Sequence, residues 1–186
     1  MDINTGPVFR RKQVTGDGNC LFRSLSLASN DEVNHLALRK RTVAYIRDNW
    51  EKFKPYAFLP NEPHPERDKY CNVMAKDGTY GTSAECLAAS DLLRKNVKIY
   101  NNMRLRNSMY LTFTEPPLVV SSCQHPEDIF LHFTGNVDAG HFELLEVMDH
   151  PPTYARTTNV FRRPNCTMRK KSSVGPLEGS LVSLSN

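Results

Sequence analysis

The sequence has no CxxC pair, no cysteine and histidine set at zinc spacing, and no apolar run near the roughly 18 residues that a membrane-crossing helix needs. Its five cysteines, Cys20, Cys71, Cys86, Cys123 and Cys166, are an odd number. A disulfide framework is therefore not favoured, and ligand spacing suggests neither a metal nor an organic cofactor. Free thiols fit a reducing compartment, the cytoplasm or the nucleus, where one can act as nucleophile while the others are inert. The opening MDINTGPVFRRK lacks the apolar stretch of a secretory leader, which fits the same compartment. No GxxxxGK[ST] loop and no HExxH occurs, so nucleotide hydrolysis and zincin chemistry have no motif.

The net charge of +4 invites a nucleic-acid partner until it is divided along the chain. Residues 151–186 hold six Lys and Arg and one acid, Glu178, for a charge of +5. The preceding 150 residues hold 18 basic and 19 acidic residues and are nearly neutral, so charge defines no nucleic-acid face there. A chain of 186 residues is expected to form one domain. That domain is expected over residues 10–149, followed by a flexible basic tail over 150–186 that starts at Pro151 and Pro152 and lacks apolar periodicity.

Helical spacing follows GDGNC at 16–20, so Cys20 is expected at a helix start. Asn30 or Asp31 can cap a long second helix running to about Phe53, with Val33, Leu36, Ala37, Ala44, Ile46 and Trp50 as its apolar stripe. Four prolines between 54 and 67 predict a loop. A short helix over 68–76 and another from Thr82 or Ser83 to Lys95 follow. Strands are expected at 97–100, 109–114, 118–120, 129–133 and 141–147. Helices first and strands clustered later predict an α+β domain with helices packed on a small mixed or antiparallel sheet.

A cysteine at a helix start after a glycine turn has two chemical advantages. The helix dipole favours its thiolate, and the unbonded amides of Gly18, Asn19 and Cys20 can receive the oxyanion formed when that thiolate attacks a carbonyl. An imidazole must accept the thiol proton and return it to the leaving amine. His141 is the candidate base, at the end of the turn GNVDAG and the start of HFELLEV, where Phe142, Leu144 and Val147 are expected to fix the strand. Glu143 lies two residues on, on the same strand face, where a carboxylate can orient the ring. Asp17, three residues before the thiol, is a second candidate for that support. Cys123 and His125 form only a weak second pairing, and His132 reads as a structural strand residue.

Three blocks, GDGNCLFRSLS at 16–26, DGTYGTSAECLAASDLLRKNVKIY at 77–100 and GHFELL at 140–145, resemble in order the ovarian tumour (OTU) family of cysteine proteases. The resemblance spans about residues 10–148. It implies a papain-like α+β fold and hydrolysis of isopeptide or peptide bonds at the C-terminus of ubiquitin or polyubiquitin. It also implies Cys20 as nucleophile, His141 as general base and acid, and Asp17 as the family's acid that organises the nucleophile loop. One residue departs from the pattern: the family usually has Asp or Asn two residues after the histidine, where this chain has Glu143. Either acid can then support His141, with Asp17 slightly preferred. If Glu143 orients the ring badly, the chain is a weakly active or inactive ubiquitin-binding module. Another ubiquitin-like modifier or a polyprotein are the alternative substrates. Tyr80 stands where the family usually has Trp.

Overall fold

The computed structural model describes residues 6–29, 34–101, 108–135 and 140–149. The tail expected over 150–186, the caps expected at Asn30 or Asp31, and positions 136–139 of the turn before His141 lie outside the described residues.

Strands β1 (Phe9–Lys12), β2 (Lys95–Asn101), β3 (Tyr110–Leu111), β4 (Leu118–Val120), β5 (Glu127–Thr134) and β6 (His141–Val147) form one sheet in the order β3-β1-β6-β5-β2-β4. Only β2 and β5 are parallel. The mixed sheet and its covering helices are the α+β arrangement expected from the sequence. Strand β6 is central and carries apolar residues on both faces. Phe142 and Leu144 join Leu21, Phe22 and Leu25 of helix α1 (Cys20–Ala28) in one core cluster. Leu145 joins Phe9, Tyr100 and Leu111 in another. Val147, expected to help fix this strand, is instead half exposed at its end.

Strand β1 is not visible in the sequence, because FRRK has one apolar residue and no alternation. It forms because it adds to the β6 edge, pairing Phe9 with Val147 and Arg11 with Leu145. Phe9 is then fully buried against Tyr100, Phe113 and Phe130, with ring centroids 5.2–5.8 Å apart. By contrast, only 110–111 of the strand expected over 109–114 is paired.

The long second helix is also revised. Helix α2 (His35–Asp48) starts at Asn34, whose Oδ1 accepts from the amides of Leu36 at 2.7 Å and Ala37 at 3.3 Å. It stops at Asn49, which leaves helical geometry at φ −118° and ψ 37°, and a separate turn, α3 (Trp50–Phe53), follows. Its buried face is Leu38, Arg39, Thr42, Val43 and Ile46 rather than the stripe through Leu36, Ala37 and Ala44. Two of the buried residues are polar and hydrogen-bonded inside the fold. Thr42 Oγ1 donates to Leu38 O, and Arg39 is held by carbonyls described below.

The proline-rich stretch holds one 3₁₀ turn, Lys54–Tyr56, before α4 (Arg67–Met74). Helix α5 (Ser83–Leu93) opens on a capping box, in which the Thr82 amide donates to Glu85 Oε2 at 2.8 Å. Glu85 is fully buried and also accepts from Tyr70 Oη at 2.7 Å. Burial pushes its carboxyl pKa up. Arg94, left-handed at φ 54°, ends the helix immediately before β2. Helix α1 packs on β6 and α5 on β2, with α2 against both helices. This seats the start of α1 beside the start of β6.

Candidate active site

The nucleophile turn is built around Gly18. Its φ is +79°, and a Cβ there would lie 1.7 Å from the carbonyl oxygen of Gly78, so no other residue fits without moving that chain. Two turns interlock at this point. Asn19 Nδ2 donates to Asp77 Oδ1 at 2.9 Å, and the Gly78 amide donates to Asn19 Oδ1 at 3.2 Å.

Behind them lies Arg39, 1% exposed. Its Nη2 donates to Asn19 Oδ1 (2.8 Å), Gly18 O (3.1 Å) and Thr79 O (2.6 Å), and Nη1 donates to Met74 O (2.9 Å). The guanidinium stacks on the Phe22 ring, 4.3 Å from its centroid. A buried cation bonded to the carbonyls of Gly18, Met74 and Thr79 ties the nucleophile turn to the 74–79 segment. Sequence reasoning missed Arg39; its one signal is a cation on the same helical stripe as Thr42, Val43 and Ile46.

Asp17 holds the other side of the turn. Its Oδ2 pairs with Arg23 Nη2 at 2.6 Å, and its Oδ1 accepts from the Asn19 amide at 3.1 Å. The Arg23 hydrogen bond holds the Asp17 carboxyl far below the usual carboxylate range, helped by Asn19 and opposed by desolvation. Of the three amides expected to face an oxyanion, that of Asn19 is therefore taken by Asp17. Those of Gly18 and Cys20 are the other two candidates.

Cys20 is 1% exposed. Burial pushes its thiol up, while the backbone N–H groups of Phe142, Leu21 and Cys20 itself pull it down, with a net upward shift. The amides at the helix start pull toward the thiolate, and desolvation outweighs them. The Phe142 amide places the sulfur one residue from His141.

The His141 ring lies against the nucleophile loop, since a Cβ on Gly16 would sit 3.6 Å from its Nδ1. Its Nε2 faces Glu143 Oε1 at 3.8 Å, within ion-pair range and beyond hydrogen-bond length. The other oxygen, Oε2, pairs with Arg11 Nη1 at 3.2 Å, and both of those side chains are buried. The two candidate acids therefore occupy different places, Glu143 beside the imidazole and Asp17 in the loop that carries the thiol.

An open polar cleft of about 430 Å³, lined by Gln13, Gly16, Tyr80, His141 and Glu143 among others, exposes the imidazole. An apolar groove of about 360 Å³ shares Tyr80 with it and runs past Gly81, Phe142 and Phe133 to Leu118. Cys123 and His125 approach each other to 3.7 Å elsewhere, in an exposed loop lining a separate cleft with Asn96 and Lys98. His132 is fully buried against Phe113, as a structural residue would be. Among the described residues no group of three or more metal-ligating side chains gathers, and no helix is long and apolar enough to cross a membrane.

Comparison with known proteins agrees with this geometry. The chain is 38% identical over 96 residues to the OVARIAN TUMOR DOMAIN-containing deubiquitinating enzyme 7 of Arabidopsis thaliana, covering 50% of this chain and 24% of that protein. It is 27% identical over 176 residues to the human OTU domain-containing protein 1, covering 88% of this chain and 33% of that one. The chain therefore spans a third or less of these relatives. The solved OTU domain of OTUD1 superposes with a TM-score of 0.56 at 25% identity, over 73% of this chain and 84% of that one. The OTU domain of Hazara virus, solved bound to ubiquitin, superposes with a TM-score of 0.55 at 20% identity, over 77% and 84%. The family described as OTU-like cysteine protease matches residues 15–142, a span running from the nucleophile turn to the start of β6, and the chain belongs to that family.

Proposed function

We propose that the chain is a deubiquitinating cysteine protease in which Cys20, His141 and Glu143 act together and Asp17 shapes the nucleophile loop. What supports this most is the meeting of three segments at one point: the start of α1, the 77–81 turn and the start of β6. Glu143 beside Nε2 favours the tautomer with its proton there, which leaves Nδ1 as the base.

Nδ1 takes the proton from Cys20 Sγ as the sulfur attacks the carbonyl carbon at the ubiquitin C-terminus. The carbonyl oxygen becomes an oxyanion, which the Gly18 and Cys20 amides stabilise. The tetrahedral intermediate collapses as Nδ1–H protonates the leaving lysine amine, leaving a thioester on Cys20. Water, deprotonated by His141, then cleaves the thioester to give a free carboxylate and the restored thiol. The apolar groove beside Tyr80 and Phe142 receives the extended segment that ends in the scissile carbonyl. Glu143 beside the ring supports an enzyme over an inactive ubiquitin-binding module. Four described thiols without a disulfide fit work in the cytoplasm or nucleus.

Rates of hydrolysis of a ubiquitin C-terminal amide by Glu143→Gln and Asp17→Asn test the assignment. At 3.8 Å and an effective dielectric near 20, a carboxylate and an imidazolium attract by about 4 kcal/mol, which Arg11 and solvent in the open cleft reduce. Glu143→Gln should then lower kcat by roughly 10- to 1,000-fold. Asp17→Asn should cost less, through the loop. The reverse order would assign the support of His141 to Asp17.

A further inference from the structure

Glu143 raises a question of restraint. A glutamate has one more rotatable bond than an aspartate, and a carboxylate that swings away from the ring orients nothing. This carboxylate is 6% exposed, and burial of an unpaired charge would be costly. Its surroundings therefore decide whether it can serve His141.

We propose that Arg11 is a positioning residue for the reaction: its guanidinium holds Oε2 of Glu143 so that Oε1 stays aimed at Nε2 of His141. The proposal rests on the reading of Glu143 given above. The two oxygens have separate neighbours, Arg11 Nη1 at 3.2 Å and His141 Nε2 at 3.8 Å. The sheet register makes this arrangement rigid. Arg11 pairs with Leu145 across the β1–β6 ladder, so it lies on the face that carries His141 and Glu143 and stands diagonally next to Glu143. On the other side, His132 of β5 pairs with Glu143 in register. Phe9, two residues before Arg11 on the same face, is fully buried and anchors β1. Arg11 itself is 8% exposed, too enclosed to serve as an ordinary surface cation.

This explains how a residue one methylene longer than the family's usual aspartate can occupy the position. The carboxylate sits between two strands, gripped from β1 and directed along β6. It also gives strand β1, absent from the sequence pattern, a part in the chemistry.

The test is a double-mutant cycle on hydrolysis of a ubiquitin C-terminal amide, with kcat and KM measured separately for Arg11→Gln, Arg11→Lys, Glu143→Gln and the Arg11→Gln/Glu143→Gln double variant. Arg11→Gln should lower kcat by about 10- to 100-fold with KM within threefold, and Arg11→Lys should recover most of the rate, because a single charged nitrogen facing Oε2 keeps the ion pair. In the Glu143→Gln background, Arg11→Gln should cost less than twofold. Thermal melts establish folding, and Arg11→Met replaces Arg11→Gln if the latter does not fold. The same fold-loss in both backgrounds, or an Arg11→Gln kcat within twofold of wild type, overturns the role of Arg11 and leaves Glu143 in place. A Glu143→Gln variant with wild-type kcat overturns the reading of Glu143, and the proposal falls with it.

Discussion

Replacing Gly18 with alanine would place a methyl carbon 1.7 Å from the Gly78 oxygen and 2.5 Å from its carbonyl carbon. Contacts below 3.0 Å do not occur for real Cβ atoms, and the atoms met are backbone, so the 77–79 turn must retreat by more than an ångström. The positive φ adds about 1–2 kcal/mol for an L-residue. Retreat of the turn breaks the Gly78–Asn19, Asn19–Asp77 and Arg39–Thr79 hydrogen bonds, each contributing about 1 kcal/mol net. The sum is about 4 kcal/mol, equivalent to a fall in Tm of roughly 10–15 °C for a domain of this size. Misplacing the oxyanion amides by an ångström should lower kcat about 100-fold in the fraction that remains folded. Gly16→Ala is the control, because its Cβ would meet the His141 ring at an ordinary 3.6 Å. Differential scanning fluorimetry and steady-state hydrolysis below the transition read both quantities. A Gly18→Ala protein that melts within about 3 °C of wild type and turns over within threefold would refute the idea that this turn is locked against its neighbour.

Two further outcomes are expected. Because burial raises the Cys20 thiol and the charged form is the one disfavoured, iodoacetamide should alkylate Cys20 in a His141→Ala variant with a midpoint above pH 9, the ordinary thiol value. A midpoint below pH 8 would show that the helix start outweighs desolvation. Removing residues 155–186 should leave turnover of a small ubiquitin substrate within about threefold, since the candidate site residues Asp17, Cys20, His141 and Glu143 all precede residue 144. A tenfold loss would extend the catalytic domain into that segment.

The sequence was most informative where the chemistry is local. The turn at 16–20 is contiguous, so Cys20, Asp17 and the helix that follows could be read together. His141 and Glu143 were placed on one face by period two alone. What was hidden depends on contacts between distant positions. Arg39 acts on carbonyls at 18, 74 and 79, and its helix pattern misleads because a polar residue occupies a core position. Strand β1 has almost no strand pattern of its own and exists only because β6 offers an edge. Arg11 therefore looks like one of several surface cations until the register places it beside Glu143. The separate placement of the two acids was equally hidden, because Asp17 is drawn away by Arg23, six residues later.

The most direct measurement is the intact mass of the protein after incubation with ubiquitin bearing an electrophile at its C-terminus, with the adduct mapped by peptide sequencing. Thiol chemistry directed at ubiquitin predicts one stoichiometric adduct on Cys20, lost in Cys20→Ala and kept in Cys86→Ser and Cys123→Ser. No adduct on the wild-type protein, or an adduct that persists in Cys20→Ala, would contradict it.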